Sequence, residues 1–163
     1  MPIAIRLATT ADAESIRTIY NTEVLGSTVT FDIVPRSVED QNEWMTAHGG
    51  VYPLIVAVDL EVVVGFASLS PYRPRAAYAT SAEDSVYVAA DRRGQGVGRA
   101  LLGELVDLAG SHGFHAVMAR IVGDHEASIA LHRSCGFELV GIEREIGRKF
   151  GRWLDVALMQ LLL

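Results

Sequence analysis

The sequence predicts an α/β domain of the α+β kind, with a mixed, mostly antiparallel central sheet and helices on both faces. Three observations carry that expectation. Segments with apolar residues at every second position alternate irregularly with segments whose apolar residues recur every three to four. Two β-branched runs, Leu54 to Val58 and Val62 to Leu69, are parted only by Asp59-Leu60-Glu61, which fits a hairpin. A third run, Ser85-Val86-Tyr87-Val88, leads through three alternating glycines into a helical pattern. With 163 residues, half of them hydrophobic, a single domain over residues 1–163 is expected. A chain of this size can bury roughly 68–70% of its unfolded surface.

Taken in order, Ile3, Ile5 and Leu7 alternate with Ala4, Arg6 and Ala8 as a half-buried first strand. Thr9 to Asp12 offers a helix start with an acidic first turn, and Ile16, Ile19, Tyr20 and Val24 follow at helical spacing to an end near Gly26. Ser27 to Phe31 is β-rich but bounded by Gly26 and Pro35, so an extended connection is expected. Ser37 and Asp40 reset a helix start, with Val38, Trp44 and Met45 as its apolar stripe. In the hairpin, Gly65 signals a bulge or a close backbone approach. Pro71 to Tyr78 breaks the pattern and sets Arg73, Arg75 and two tyrosines on a loop. Thr80 to Val88 reads as the central strand and Gly96 to about His112 as a helix with Val97, Leu101, Leu105 and Leu108 on one face. His115 to Val122 is the next strand, and a short helix opened by Asp124 or His125 ends at Gly136. Glu138 to Glu145 and Trp153 to Leu161 are the last strands, separated by Gly147 to Arg152.

The strand, glycine turn and helix start around Arg93 describe a phosphate cradle. Gly94, Gly96 and Gly98 let a ligand approach backbone N–H groups that a helix N-terminus leaves unpaired, and the helix dipole adds positive charge there. Arg92, Arg93 and Arg99 concentrate full charge in a chain whose net charge is −6. The spacing Gly94-x-Gly96-x-x-Arg99 excludes the dinucleotide fingerprint, and no Gly-Lys-Ser/Thr loop is present.

The acidic balance argues against a nucleic-acid surface. No apolar run is long enough to span a bilayer, and no leader pattern opens the chain. Cys135 is the only cysteine, which excludes an internal disulfide and a cysteine metal cluster and fits a reducing cytoplasm; set before the helix-capping Gly136, it is expected to be a small buried core residue and not a nucleophile. The histidines show no ligand spacing, so no metal is expected. Glu83 reads equally as a charged strand-end residue or as a carboxylate placed to take a proton from an amine. His132 reads as a structural helical histidine or as a donor to a leaving thiolate. Phe31 alone reads as core.

Arg93-Gly94-Gln95-Gly96-Val97-Gly98 resembles the coenzyme A diphosphate loop of the GNAT superfamily of acyl-CoA N-acyltransferases. Together with Thr28 to Phe31, Tyr78 to Val88, Glu126 to His132 and Gly147 to Val156, it makes nearly the whole chain similar to the phosphinothricin and methionine sulfoximine N-acetyltransferases. The resemblance implies a GNAT fold and acetyl-CoA as co-substrate. It implies Glu83 as base, His132 as a second catalytic candidate, and coenzyme contacts from Val86, Tyr87, Val88, the residues from Arg93 to Arg99, and His125. The family carries asparagine where His125 stands, leaving Asp124 as an alternative cap. It places Phe31, Arg73, Arg75 and Tyr78 around a small amino-acid substrate and implies a homodimer. The rival expectations are acetylation of a peptide N-terminus or polyamine, or a non-catalytic acyl-CoA sensor.

Overall fold

In the computed structural model, which describes residues 2–163, the alternating segments form strands β1 (Ala4–Leu7), β2 (Leu54–Asp59), β3 (Val62–Pro71), β4 (Ser81–Val88), β5 (Ala116–Val122), β6 (Glu138–Lys149) and β7 (Arg152–Leu162). The helical segments form α1 (Ala13–Gly26), α2 (Val38–Thr46), α3 (Val97–Ser111) and α4 (Glu126–Ser134). One sheet has the order β1-β2-β3-β4-β5-β7-β6, and every pairing is antiparallel except β4 with β5. Among the described residues, no helix is long and apolar enough to cross a membrane.

The two sheet faces bury different helices, because successive strand residues point opposite ways. On one face Ile16, Ile19, Tyr20 and Val24 of α1 pack on Leu54, Val56 and Phe66. On the other, Val97, Leu101, Leu102 and Leu105 of α3 pack on Ile55, Ala57, Val64 and Ala67. Leu108, expected on that stripe, is only partly buried at its edge. Ser37 caps α2: its hydroxyl accepts from the Asp40 amide at 3.0 Å while the Asp40 carboxylate accepts from the Ser37 amide at 2.9 Å.

Gly65 does both things its position allows. The register between β2 and β3 shifts beside it, between Ala57 and Val58. A Cβ there would lie 2.9 Å from the Tyr87 carbonyl oxygen and 3.0 Å from Leu101 Cδ1, so only glycine lets α3 and β4 come this close.

Three expectations need correction. The last two strands are longer than their alternation suggests: β6 runs on through Gly147 and Arg148 to Lys149, and the connection shrinks to Phe150-Gly151. Both have positive φ, 52° and 71°, the geometry of a two-residue hairpin turn whose twist matches the strands. His125, not Asp124, is the cap of α4; its Nδ1 accepts from the Ser128 amide at 3.4 Å, while Asp124 pairs with Arg152. Cys135 is half-buried at the α4 C-terminus, where a fully buried residue was expected.

Candidate active site

The site is set by where the sheet comes apart. β4 and β5 pair only at Ser81 with Ala116, Ala82 with Val117 and Glu83 with Met118. Beyond Glu83 the two parallel strands diverge, so the β5-facing edge of β4 from Asp84 to Val88 lacks a strand partner. The gap opens into a cleft of about 370 Å³ lined by Val86, Tyr87, Val88, Arg93, Gly94, Gly96, Gly98, Arg99, Arg120, His125 and His132, with others. A larger groove of about 740 Å³ beside β1 and α2 shares none of these residues.

At one end of the cleft lies the glycine turn. Gly94 and Gly96 take φ of 72° and 83°, conformations that a side chain would strain, and open space surrounds both Cβ positions. Gly98 has a different reason: a Cβ there would meet Leu131 Cδ2 at 3.2 Å, so its absence lets α3 approach α4. The first α3 hydrogen bond is donated by Ala100 to the Gly96 carbonyl at 3.0 Å, which leaves the amides of Val97, Gly98 and Arg99 without helical partners. These donors, the helix dipole and a strand edge fit a diphosphate followed by an amide-bearing arm. The expected cluster of three arginines is less open than the sequence suggests. Arg92 is paired with Asp59, and Arg93 with the buried Glu23 while its Nε donates to the Val88 carbonyl. Arg99 is exposed and makes no ion pair among the described residues. Gln95 donates to the Asp91 carbonyl at 3.1 Å, which shapes the turn.

At the other end, neighbouring β4 residues face opposite ways into two titratable assemblies. Asp84 and His132 form a buried pair, Nε2 to Oδ2 at 3.0 Å, with His132 only 3% exposed. His132 Nδ1 donates to the Ser128 carbonyl at 2.8 Å. The Ser128 carbonyl can only accept, so Nδ1 carries a proton, and the ionised Asp84 carboxylate accepts from Nε2, an arrangement that favours the imidazolium. Burial alone would lower the His132 pKa; the Asp84 charge and hydrogen bond and the Ser128 carbonyl outweigh it and raise it. Asp84 had no assigned role in the sequence reading. Alternation along a strand puts it on the face opposite Glu83, but nothing in the chain sets it against a helical histidine 48 positions away.

Glu83 lies on the opposite face, with its Oε1 shielded from solvent and without a hydrogen-bond partner among the described residues. Its nearest cation is Arg120 Nε at 3.8 Å. Burial raises its pKa, and Arg120 and Arg73 partly offset that. Glu83 does not meet His132, so the two catalytic candidates do not form a dyad.

The expected substrate residues divide. Arg73 stacks on Tyr72 and Tyr78 with its guanidinium 5.0 and 5.8 Å from the ring centres, and its charge reaches Glu83. Arg75 is exposed and caps the 3-10 turn Ala76–Tyr78. Phe31 is not core but 42% exposed, with its ring against Gly147, where a Cβ would come within 2.3 Å of it. None of Phe31, Arg73, Arg75 and Tyr78 lines the cleft.

Comparisons with known proteins agree with this geometry. Residues 5–158 match the family model described as acetyltransferase (GNAT) domain. The chain is 40% identical over 159 residues to phosphinothricin N-acetyltransferase of Streptomyces coelicolor, covering 95% of this chain and 93% of that protein. It is 40% identical over 163 residues to the L-methionine sulfoximine/L-methionine sulfone acetyltransferase of Pseudomonas paraeruginosa, covering 99% and 95%. Among solved structures, a GNAT phosphinothricin acetyltransferase from Sinorhizobium meliloti in complex with acetyl-CoA superposes with a TM-score of 0.96 at 42% identity, covering 100% of this chain and 89% of that one. A parted β4–β5 pair, a glycine-turned helix start at its mouth and matches of this extent leave one assignment: the chain is an acetyltransferase of the GNAT family.

Proposed function

We propose that this enzyme transfers the acetyl group of acetyl-CoA to the α-amino group of a small amino-acid analogue such as phosphinothricin, methionine sulfoximine or methionine sulfone. The observation that carries the reading is the cleft itself. It presents anion-binding amides at α3 and a free strand edge along Val86 to Val88; Glu83 does not line it, but Arg120, which does, stands 3.8 Å from the shielded Glu83 Oε1. The named activities of relatives about 40% identical over nearly the whole chain support the substrate class.

In this reading the amides of Val97 to Arg99 and the Arg99 guanidinium hold the diphosphate. The backbone of Val86, Tyr87 and Val88 pairs with the pantetheine amides, and His125 borders the same cleft. Glu83 takes one proton from the substrate ammonium, because only the neutral amine has a lone pair for the thioester carbon. The C–N bond forms and the C–S bond breaks. The second proton on the nitrogen passes to water in the cleft, and the departing thiolate takes up one from the imidazolium of His132, whose N–H must first leave Asp84 or the Ser128 carbonyl; the proton held by water then restores the ring. Arg73 and Arg75 pair with the substrate's acid group, with Phe31 and Tyr78 as apolar walls. The half-buried single thiol of Cys135 fits a reducing cytoplasm, and the apolar outer edge of β6 fits a second copy of the chain.

Thiol release measured over a panel of amino acids, peptides and polyamines tests the substrate class. Turnover confined to free amino acids is expected, whereas faster turnover of peptides or polyamines overturns it. Stabilisation of the fold by acetyl-CoA with no thiol release from any amine would make the protein a sensor. Glu83→Gln should lower kcat by about 10²- to 10⁴-fold while the acetyl-CoA dissociation constant stays within about twofold. An equal loss in both would remove Glu83 from the role of base.

A further inference from the structure

Glu83 belongs to a longer chain of charges that neither the fold nor the reaction requires. β5 is buried along its length except at Arg120. That residue lies two positions past the last β4–β5 pair, on the same sheet face as Glu83. Its Nη2 donates to Glu143 Oε1 on β6 at 2.9 Å, and its Nε stands 3.8 Å from Glu83 Oε1. Arg120 is therefore held short of hydrogen-bonding distance from the base by a second carboxylate on another strand. We propose that Arg120 is a positioning residue for the base, tethered by Glu143 so that its charge keeps the Glu83 carboxylate ionised without closing on it. The proposal rests on the reading of Glu83 as base.

The physics follows from the separation. A direct guanidinium–carboxylate hydrogen bond would hold Glu83 ionised but occupy the oxygen that must accept the substrate proton. With no cation nearby, burial would favour the protonated acid, which cannot accept one. A cation at 3.8 Å lies between these limits. The other groups facing Glu83 are few. Arg73 approaches from the loop after β3, and Asp84 is its neighbour on β4. On β3 its register partner Ser70 meets His48 Nε2 at 3.4 Å. Glu143 acts on it through Arg120.

Two substitutions should move the acid limb of the kcat/KM profile in opposite directions. Arg120→Gln removes the cation, so the limb moves to higher pH, with a loss of about five- to tenfold on the limb and little change on the plateau. Glu143→Gln removes a negative charge and releases Arg120 toward Glu83, so the limb moves to lower pH. Arg120→Lys should restore most of the wild-type profile. A purely structural role would lower the plateau of both variants without opposed shifts, and limbs that stay in place or move together overturn the proposal. Carboxyl-carbon NMR titration of Glu83 in the unliganded variants reads the same signs without turnover. If the limb persists in Glu83→Gln, the base assignment falls; if it vanishes there but neither Arg120→Gln nor Glu143→Gln moves it, only the proposal falls.

Discussion

At His132 two acceptors favour the cationic ring, and that cation depends on Asp84. Removing one partner of a buried pair leaves the other without compensation, so Asp84→Ala should destabilise the fold by about 3 kcal/mol. The same substitution should lower the His132 pKa, because burial is then opposed only by the Ser128 carbonyl, and imidazole NMR titration reads that directly. The pH dependence has a definite sign. The folded-state pKa of His132 is raised above the unfolded value, so the pair contributes fully below about pH 6.5. That contribution fades as pH rises through the folded pKa. Urea unfolding of wild type and Asp84→Ala across pH should show their difference narrowing toward alkaline pH. A difference that widens there would mean that the ring is neutral.

At the scale of elements, the glycines of α3 and β3 answer to different constraints. Gly65 sits where β3, β4 and α3 crowd together, and an added methyl group would push against the Tyr87 carbonyl and the buried Leu101 and Val97. Gly65→Ala should cost about 1–3 kcal/mol. Gly103, inside α3, has helical backbone and nothing within 4 Å of its Cβ position. Gly103→Ala should therefore stabilise by about 0.5–1 kcal/mol. Urea midpoints of the two variants should shift in opposite directions. Gly96 belongs to a third kind, since its φ of 83° is needed to turn the chain into α3 with amides facing the cleft.

Across the whole molecule, the β6–β7 hairpin reaches back to the segment after α1. The Lys149 ammonium, buried at the hairpin turn, donates to the Thr30 carbonyl at 2.9 Å, a contact spanning 119 positions. Phe31 rests on Gly147 beside it. Lys149→Met should raise KM for the amine several-fold, leave acetyl-CoA binding unchanged, and cost about 1–3 kcal/mol because the Thr30 carbonyl loses its partner. Initial-rate kinetics against each substrate separately makes that distinction. Along β6, Leu139, Val140, Ile142 and Ile146 leave apolar surface exposed at the open edge of the sheet. Sedimentation should find a dimer, and Val140→Glu with Ile142→Glu should release monomers; a wild-type monomer at micromolar concentration would refute the pairing.

What the sequence determined by itself was local. Strand and helix periods, the Ser37 cap, the Gly65 constraint and the glycine turn into α3 depend on residues within a few positions of one another, so they were legible in one dimension. The resemblance of the motifs carried the family and the co-substrate, and it offered Glu83 as the candidate base. Only the tertiary structure decided which charges meet. It tied Arg92 and Arg93 to Asp59 and Glu23, set Asp84 against His132, spaced Arg120 between Glu83 and Glu143, and brought Lys149 to Thr30. Side-chain charge carries no information about its partner along the chain. The partner is chosen by sheet order and by the point where β4 and β5 part, and both belong to the assembled molecule.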